Sequence, residues 1–388
     1  MRTDIRLKLK GFIMQWVKLL LLSVLLSVMT ACGSGGQSSE PVPQPPAPTP
    51  TTDDTQTQLQ DILDNSIAAS ATPGVVMAIV DEQQSWFLSS GVKDSVTATA
   101  IDVEDSLRIA SMTKLLVATT VLKLAEENSL DIDGPMADYL DASMIDSIVN
   151  YDQITVRQLL NMTSGIADYT EIDAFNDAID NNPQRIWQQV EVLAYINNVT
   201  PDFAPGSDYG YSNSNYVLLD LIVATVSNSS LAQEMRRIIF TPLAMESSYI
   251  EFAETSAANG TVLSVEGYEG SDNVTAINDG IGFGDGGVVS TVADLTAFLN
   301  ALFGQKMLLS QASLDDMLTE VMGQEYGLGA EVRTTSLGPG WGHNGASSGF
   351  AGDMLYFADK KRTFVLLTNQ ADSAILDEIM AKSMAVLD

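Results

Sequence analysis

A serine and a lysine stand three residues apart at the start of an apolar segment, in Ser111-Met112-Thr113-Lys114. On a helix, residues with this spacing lie on one face, one turn apart. A hydroxyl in the first turn lies near free backbone N–H groups, which favour developing negative charge. The same positive helix end favours a neutral lysine that can accept a proton. The pair is a candidate nucleophile and base, and the alternative is a helix-capping serine beside a surface lysine.

A second copy of the spacing, Ser90-Gly91-Val92-Lys93, shows that Ser-x-x-Lys alone is a weak indicator of catalysis. The glycine after a strand-like run predicts a turn, where nothing fixes the serine and the lysine on one face. After Lys114, by contrast, apolar residues recur at helical spacing and predict a helix that continues to Glu127. The context therefore favours Ser111 over Ser90.

Three later segments, residues 154–166, 203–219 and 342–350, add further polar groups, among them Tyr211-Ser212-Asn213 and His343-Asn344-Gly345-Ala346. Together with Ser111-Met112-Thr113-Lys114, their order resembles the superfamily of serine β-lactamases and D-Ala-D-Ala carboxypeptidases. The most similar branch contains class C β-lactamases, DD-carboxypeptidases, D-aminopeptidases and related carboxylesterases. The resemblance extends over roughly residues 60–385.

The resemblance implies a role for each matching residue. Ser111 is the nucleophile and Lys114 the proton acceptor beside it. Tyr211 passes a proton to the leaving group, and Asn213 hydrogen-bonds both the substrate and the lysine. A second Tyr-x-Asn, Tyr195-Ile196-Asn197, lacks the preceding Pro-Gly and the following apolar helix, so it is not expected to take part.

The segment His343-Asn344-Gly345 matches the Lys-Thr-Gly position of the family, on a strand edge that lines the cleft. Gly345 would let a substrate approach the backbone closely. The family's oxyanion hole would be formed by the backbone N–H groups of Ser111 and Ala346. His343 replaces a lysine, and Asn344 replaces a hydroxyl residue that helps to hold a substrate carboxylate. Both departures argue against efficient β-lactam hydrolysis.

His343 is the only histidine of the chain. With an unperturbed pKa near about 6.5, its imidazole would lose its charge between about pH 6 and 8. We expect the charged form to bind a substrate carboxylate, so that KM for such a substrate rises over this range. The alternative is a neutral His343 that hydrogen-bonds Tyr211 during proton transfer.

The predicted function is that of a serine hydrolase acting through an acyl-serine on D-amino-acid peptides or amides, as D-Ala-D-Ala carboxypeptidases do. A carboxylesterase or a weak β-lactamase is the alternative enzyme. An inactive relative that binds peptidoglycan or penicillin is the alternative from another class. With one histidine and one cysteine in the chain, no metal site or other cofactor is expected. The net charge of −31 argues against nucleic-acid binding.

The elements that would position these residues predict an α/β fold of the α+β type. Strand-like runs lie at 74–80 and 85–88 and again at 326–332, 352–357 and 363–368, and a helix at 373–387 ends the chain. The region of about 128–280 carries mainly helix signals. We therefore expect an antiparallel sheet flanked by helices, with an inserted and mostly helical lobe. By resemblance, this is the β-lactamase/transpeptidase architecture.

The N-terminus is predicted to be a lipoprotein signal peptide, residues 1–31. Basic residues precede the apolar run Leu19–Leu26, and Met29-Thr30-Ala31-Cys32 resembles a lipobox whose cysteine takes a lipid. Residues 32–57 are rich in Ser, Gly and Pro, a composition that predicts an extended tether. The hydrolase domain is expected at 58–388. Gly33 after the cysteine implies the outer membrane by resemblance, with the domain facing the periplasm of a bacterium.

Replacing the lipidated residue tests this anchor. Cys32→Ser should move the protein from the membrane fraction to the soluble periplasmic fraction, because the lipid at residue 32 is the proposed attachment. Activity of the purified domain should not change, since the tether separates it from the anchor. Persistence of Cys32→Ser in the membrane fraction would show that the apolar run itself is an uncleaved anchor.

Overall fold

A computed structural model describes residues 52–279, 282–335 and 337–387. The predicted signal peptide, Cys32 and most of the predicted tether lie outside the described residues. The first helix nevertheless begins at Thr52, so folded structure starts before the predicted domain boundary at residue 58. Over the ranges just given, no helix has the length and apolar character needed to cross a membrane.

In the part of the chain that the structure describes, four strands lie between residues 74 and 108 and eight between residues 249 and 368. They are β1 (Gly74–Val80), β2 (Ser85–Asp94), β3 (Thr99–Ala100), β4 (Leu107–Arg108), β5 (Tyr249–Ile250), β6 (Tyr268–Glu269), β7 (Asp272–Asn273), β8 (Val288–Ser290), β9 (Glu331–Thr335), β10 (Gly338–Ser347), β11 (Phe350–Phe357) and β12 (Arg362–Thr368). Within the described residues, seven of them form one antiparallel sheet in the order β3-β2-β1-β12-β11-β10-β9, and a smaller sheet has the order β4-β8-β5.

The helices lie mainly between the two groups of strands. They are α1 (Thr52–Ala68), α2 (Thr113–Glu126), α3 (Ala142–Ile145), α4 (Val156–Leu160), α5 (Asp173–Asn181), α6 (Gln189–Leu193), α7 (Asn213–Ser227), α8 (Leu231–Met235), α9 (Val292–Leu299), α10 (Gln311–Met317) and α11 (Ser373–Leu387). Short 3-10 and π turns extend several of them.

β1 is apolar along its whole length because helices cover both faces of the large sheet. Val76 and Ala78 pack into the core that contains α2 and α9. Val75, Met77 and Ile79 pack on the other face, against side chains of α1 and α11. A strand buried on both faces has a continuous apolar sequence rather than an alternating one. β1 also pairs with β12, which joins the two ends of the chain.

The predicted fold class is confirmed: an antiparallel sheet is flanked by helices, and a mostly helical region lies between β4 and β8. Two local predictions are wrong. Ser90 and Lys93 lie inside β2 and not in a turn, and Lys93 forms an ion pair with Asp105 at 2.7 Å. Residues 326–330 do not form a strand, because β9 begins only at Glu331 and Gly329 has a left-handed φ of 68°.

Candidate active site

Ser111 lies in a 3-10 turn, Ala110–Met112, that leads directly into α2. Ala110 has a φ of 48°, a left-handed conformation that costs an alanine roughly 1–2 kcal/mol. This residue turns the chain from β4 towards the helix and leaves Ser111 half-buried at the helix entrance. The sequence placed Ser111 in the first turn of the helix, and the structure places it in the turn just before.

The amine of Lys114 is fully buried and has three close oxygen partners. Nζ lies 2.9 Å from Ser111 Oγ, 2.8 Å from Asn213 Oδ1 and 2.6 Å from the backbone oxygen of Asp285. The last two atoms can only accept hydrogen bonds, so each takes one N–H. A neutral amine has two N–H groups and one lone pair, which then faces the Ser111 hydroxyl. The geometry thus suits transfer of the serine proton to the lysine.

Burial lowers the pKa of Lys114 to about 8, while the carboxylates of Asp285 and Asp168 act in the opposite direction. The sequence attributed a neutral lysine to the positive end of the helix. In the structure the main cause is the loss of water around the amine. With a pKa near 8, the proton-accepting form of Lys114 increases as the pH rises through that value.

Tyr211 lies beside this pair. Nζ of Lys114 is 5.0 Å from the centre of the Tyr211 ring, and the Tyr211 hydroxyl is within reach of the Ser111 side chain. Burial raises the pKa of Tyr211 well above its ordinary value, so the group remains a phenol that can donate its proton and accept a hydrogen bond. The second Tyr-x-Asn is structural: the ring of Tyr195 packs against Phe175 and Trp187.

Asn213 is the first residue of α7, and its amide has a fixed orientation. Nδ2 donates to Asp168 Oδ2 at 2.9 Å and to Thr170 Oγ1 at 3.3 Å. The amide oxygen therefore points at Lys114. Asn213 thus joins the lysine to a carboxylate that the sequence analysis did not identify.

The edge of β10 passes directly against the Ser111 turn. A Cβ added at Gly345 would come within 2.6 Å of Ile109 O and 2.7 Å of Ser111 N, so only glycine allows this approach. The Asn344 N–H points off the edge, towards Glu331 Oε1 at 3.4 Å. N–H groups alternate between the two edges of such a strand, so the N–H of Ala346 points the same way. The predicted oxyanion donors therefore lie on neighbouring elements.

His343 contradicts the expectation of a charged substrate anchor. Its side chain is 1% exposed, and burial lowers its pKa to about 3. Nδ1 lies 2.5 Å from the backbone oxygen of Asn344, which accepts, so Nδ1 carries the hydrogen. Nε2 then accepts from the Tyr326 hydroxyl at 3.3 Å. The ring is neutral and bonded to Tyr326 rather than to Tyr211, so both roles expected for His343 are wrong.

Sequence reasoning missed four polar groups around the site: Asp285 and Tyr326, which are buried, and Asp168 and Glu331, which are half-buried. The position of Asp285 before the pair Gly286-Gly287 was a signal, because a carboxylate next to two glycines lies close to the backbone around it. Asp168 was missed because its partner at the site, Asn213, lies 45 residues further along the chain. Throughout the described ranges, no group of His, Cys, Asp and Glu side chains is arranged to hold a metal ion.

Comparison with known proteins decides the family. A family model described as Beta-lactamase matches residues 59–387. The chain belongs to the β-lactamase family. The resemblance and the enzyme class expected from the sequence, a serine hydrolase, are thereby confirmed.

Relatives of this β-lactamase family member include penicillin-binding proteins, aminopeptidases and amidohydrolases. It is 26% identical to a penicillin-binding protein of Bacillus subtilis strain 168, over 80% of this chain and 71% of that one. It is 25% identical to a D-aminopeptidase of Brucella anthropi, over 76% of this chain and 56% of that one. Among solved structures, a D-stereospecific amidohydrolase from Streptomyces sp. matches with a TM-score of 0.72 and 27% identity, over 83% of this chain and 97% of that one.

A methyl group at Gly345 should damage the site without unfolding the domain. Gly345→Ala would push β10 away from Ser111 and separate the two oxyanion donors, which should slow ester hydrolysis about 100-fold. Gly340→Ala on the same strand is the control, because the added Cβ meets only the side chains of Phe357 and Leu355. Equal activity of the two purified variants, with equal melting temperatures, would contradict this placement of β10.

Proposed function

We propose that this protein hydrolyses amide bonds of D-amino acid amides and short D-peptides through an acyl-serine on Ser111. The three hydrogen bonds of the Lys114 amine carry the proposal, because they leave its lone pair facing the serine hydroxyl. The burial of Lys114 argues against a helix-capping serine beside a surface lysine. An inactive binding protein is disfavoured because Ser111, Lys114, Tyr211 and Asn213 are all present and lie together.

In the first half of the reaction, Lys114 accepts the proton of Ser111 while Oγ forms a bond to the substrate carbonyl carbon. The N–H groups of Ser111 and Ala346 stabilise the oxyanion. Tyr211 delivers a proton to the leaving nitrogen as the C–N bond breaks, and the Lys114 ammonium returns a proton to Tyr211, so that both groups regain their starting forms. In the second half, Lys114 accepts a proton from water as the water oxygen attacks the acyl carbon. That proton passes to Ser111 Oγ as its bond to the acyl carbon breaks, which releases the acid and restores the Ser111 hydroxyl.

The names of two relatives support a D-configured acyl group. One relative is a D-aminopeptidase and one solved structure is a D-stereospecific amidohydrolase. The first match covers 56% of that protein's own length, so the substrate class of this chain remains part of the proposal. Both names indicate a D-configured substrate, and the second names amide hydrolysis, which fits the chemistry proposed above.

The charges beside β10 favour a leaving group without a carboxylate. His343 is neutral, and Glu331 Oε1 lies 3.6 Å from its ring. Arg333 offers no free charge, because it is paired with Asp353 and with Glu331 at 3.1 Å. In the resembling family, a substrate carboxylate is held at the position of His343 and Asn344. Here it would meet a net negative environment, so an amide or a small ester is favoured over a D-Ala-D-Ala carboxypeptidase substrate.

The preference for an uncharged leaving group also fits a second candidate function. A carboxylesterase of this family also needs an uncharged leaving group, and the arrangement of Ser111, Lys114 and Tyr211 serves esters and amides alike. Measured rates on D-alanine amide and on the p-nitrophenyl ester of D-alanine, compared with their L-enantiomers, separate the two activities. A strong preference for D over L on the amide supports the amidase.

Labelling with a fluorophosphonate tests the nucleophile. Ser111→Ala should abolish covalent labelling and reduce hydrolysis by several orders of magnitude. Ser90→Ala is the matched control and should label normally, because Ser90 lies on β2 in register with Val75 and Lys93 is paired with Asp105. Normal labelling of Ser111→Ala would refute the acyl-serine proposal.

The charge argument is tested with two substrates that differ only in one carboxylate. D-Ala-D-Ala amide should be cleaved at least about tenfold better than D-Ala-D-Ala, a difference of about 1.4 kcal/mol. Glu331→Gln should narrow this gap by improving kcat/KM for D-Ala-D-Ala. Glu320→Gln, at an exposed position, serves as control. A preference of the native protein for the free carboxylate would show that the charge argument is wrong.

A further inference from the structure

We propose that Asp168 is a positioning residue, which holds the Asn213 amide towards Lys114 and stabilises the ammonium that forms when Lys114 takes the serine proton. The inference deepens the proposed function and rests on it, since it assumes that Lys114 is the proton acceptor. It assigns a function to a carboxylate that none of the sequence motifs singled out.

The orientation of Asn213 depends on Asp168. A side-chain amide has a donor end and an acceptor end, and fixing one determines the other. Asp168 Oδ2 accepts from Asn213 Nδ2 at 2.9 Å, which leaves Asn213 Oδ1 at 2.8 Å from Nζ of Lys114. If the amide rotated by half a turn, its NH2 group would face the amine, and Lys114 would lose an acceptor.

Asp168 is itself held in place by the start of a 3-10 turn. It caps the turn Tyr169–Glu171, and its Oδ1 accepts from the backbone N–H of Thr170 at 3.0 Å and from its hydroxyl at 2.9 Å. The preceding residue is tied to α7, because Ser214 Oγ donates to Ala167 O at 2.7 Å. One carboxylate oxygen thus fixes the turn, and the other is directed to Asn213.

The charge of Asp168 acts on Lys114 from one side, and that of Asp285 acts from another. Burial disfavours the ammonium form of Lys114, whereas both carboxylates favour it. Oδ2 of Asp285 also accepts a hydrogen bond from the Tyr169 hydroxyl at 2.7 Å. The titratable groups that face the amine are Asp168, Asp285, Tyr211, Tyr216 and His343.

These opposing effects set the pH at which the site works. Without a nearby carboxylate, a buried lysine would be neutral at lower pH but would be a weaker proton acceptor. With Asp168 in place, its negative charge stabilises the Lys114 ammonium that forms when Ser111 attacks. Only the Asn213 amide lies between the two charges. Removing the negative charge of Asp168 should therefore shift the acid limb of the pH profile to lower pH and reduce the maximal rate.

The experiment measures the second-order rate of fluorophosphonate labelling of the full chain from about pH 5 to 10. For the native protein, the rate should rise through a midpoint near the pKa of Lys114, about 8. Asp168→Asn keeps the shape of the residue but removes its charge and one of its two acceptor oxygens, so its amide oxygen can cap the turn or accept from Asn213 Nδ2 but not both. Its midpoint should fall by about one pH unit or more.

Asp168→Ala removes the charge and both acceptor oxygens. It should show the same shift of the midpoint and a maximal rate at or below that of Asp168→Asn, because the Asn213 amide is free to rotate. If this variant fails to fold, Asp168→Asn alone decides the question, since its amide oxygen can still cap the turn. Melting temperatures of all variants are measured alongside.

Asp220→Asn is the matched control. Asp220 is a buried carboxylate on α7 that accepts from Gly284 N and Gln189 Nε2, whereas the Asn213 amide donates to Asp168 and Thr170. Its midpoint should equal that of the native protein. An unchanged midpoint in Asp168→Asn, or an equal shift in Asp220→Asn, would overturn the inference. Absence of Ser111 labelling in the native protein would instead refute the proposed function.

Discussion

Everything around the site depends on one buried amine. Lys114 has no contact with solvent, and a buried amine left without partners would cost about 1–3 kcal/mol or more. Its three oxygen partners come from the Ser111 turn, from the start of α7 and from the chain before β8. Three segments that are distant in sequence must therefore meet at this atom for it to be satisfied.

The large sheet supplies the opposite wall of the site. β10 can lie against the Ser111 turn only because Gly345 has no side chain. The neutral ring of His343 fills the space behind the strand, bonded to Tyr326. Because the imidazole is hydrogen-bonded and neutral, it holds this part of β10 in place without adding a charge to the site. The environment of β10 is therefore governed by Glu331 and its neighbours rather than by the only histidine of the chain.

Much of the fold could be predicted because the outer strands and the last helix have strong apolar patterns. Ser111, Lys114, Tyr211 and Asn213 were identified from the order of the motifs and their resemblance to the family, and the structure brings them together. The short central helices were harder, because α4 depends on a capping box between Thr155 and Gln158 more than on periodicity.

The remaining errors have physical causes. The strand β10 contains four glycines and a proline, so its pairing is dictated by β11 and not by its own sequence. The burial of His343 could not be foreseen, since a residue in an irregular apolar pattern can face either side of a sheet. Asp168 was missed because it reaches Lys114 only through Asn213. Asp285 was missed because it lies 171 residues from the lysine that its backbone oxygen contacts.

The pairing of β1 with β12 has a consequence for how the chain folds. The N-terminal strands carry their apolar sequence for hundreds of residues before their partner is synthesised, and contacts of such long range close slowly. Until β12 arrives, the edge of β1 is open to association with other chains. β10 is likewise placed only when the C-terminal strands join the sheet. A truncated or nascent chain would therefore contain the Ser111 turn but not the opposite wall of the site. The site would be complete only after the C-terminal strands have been synthesised.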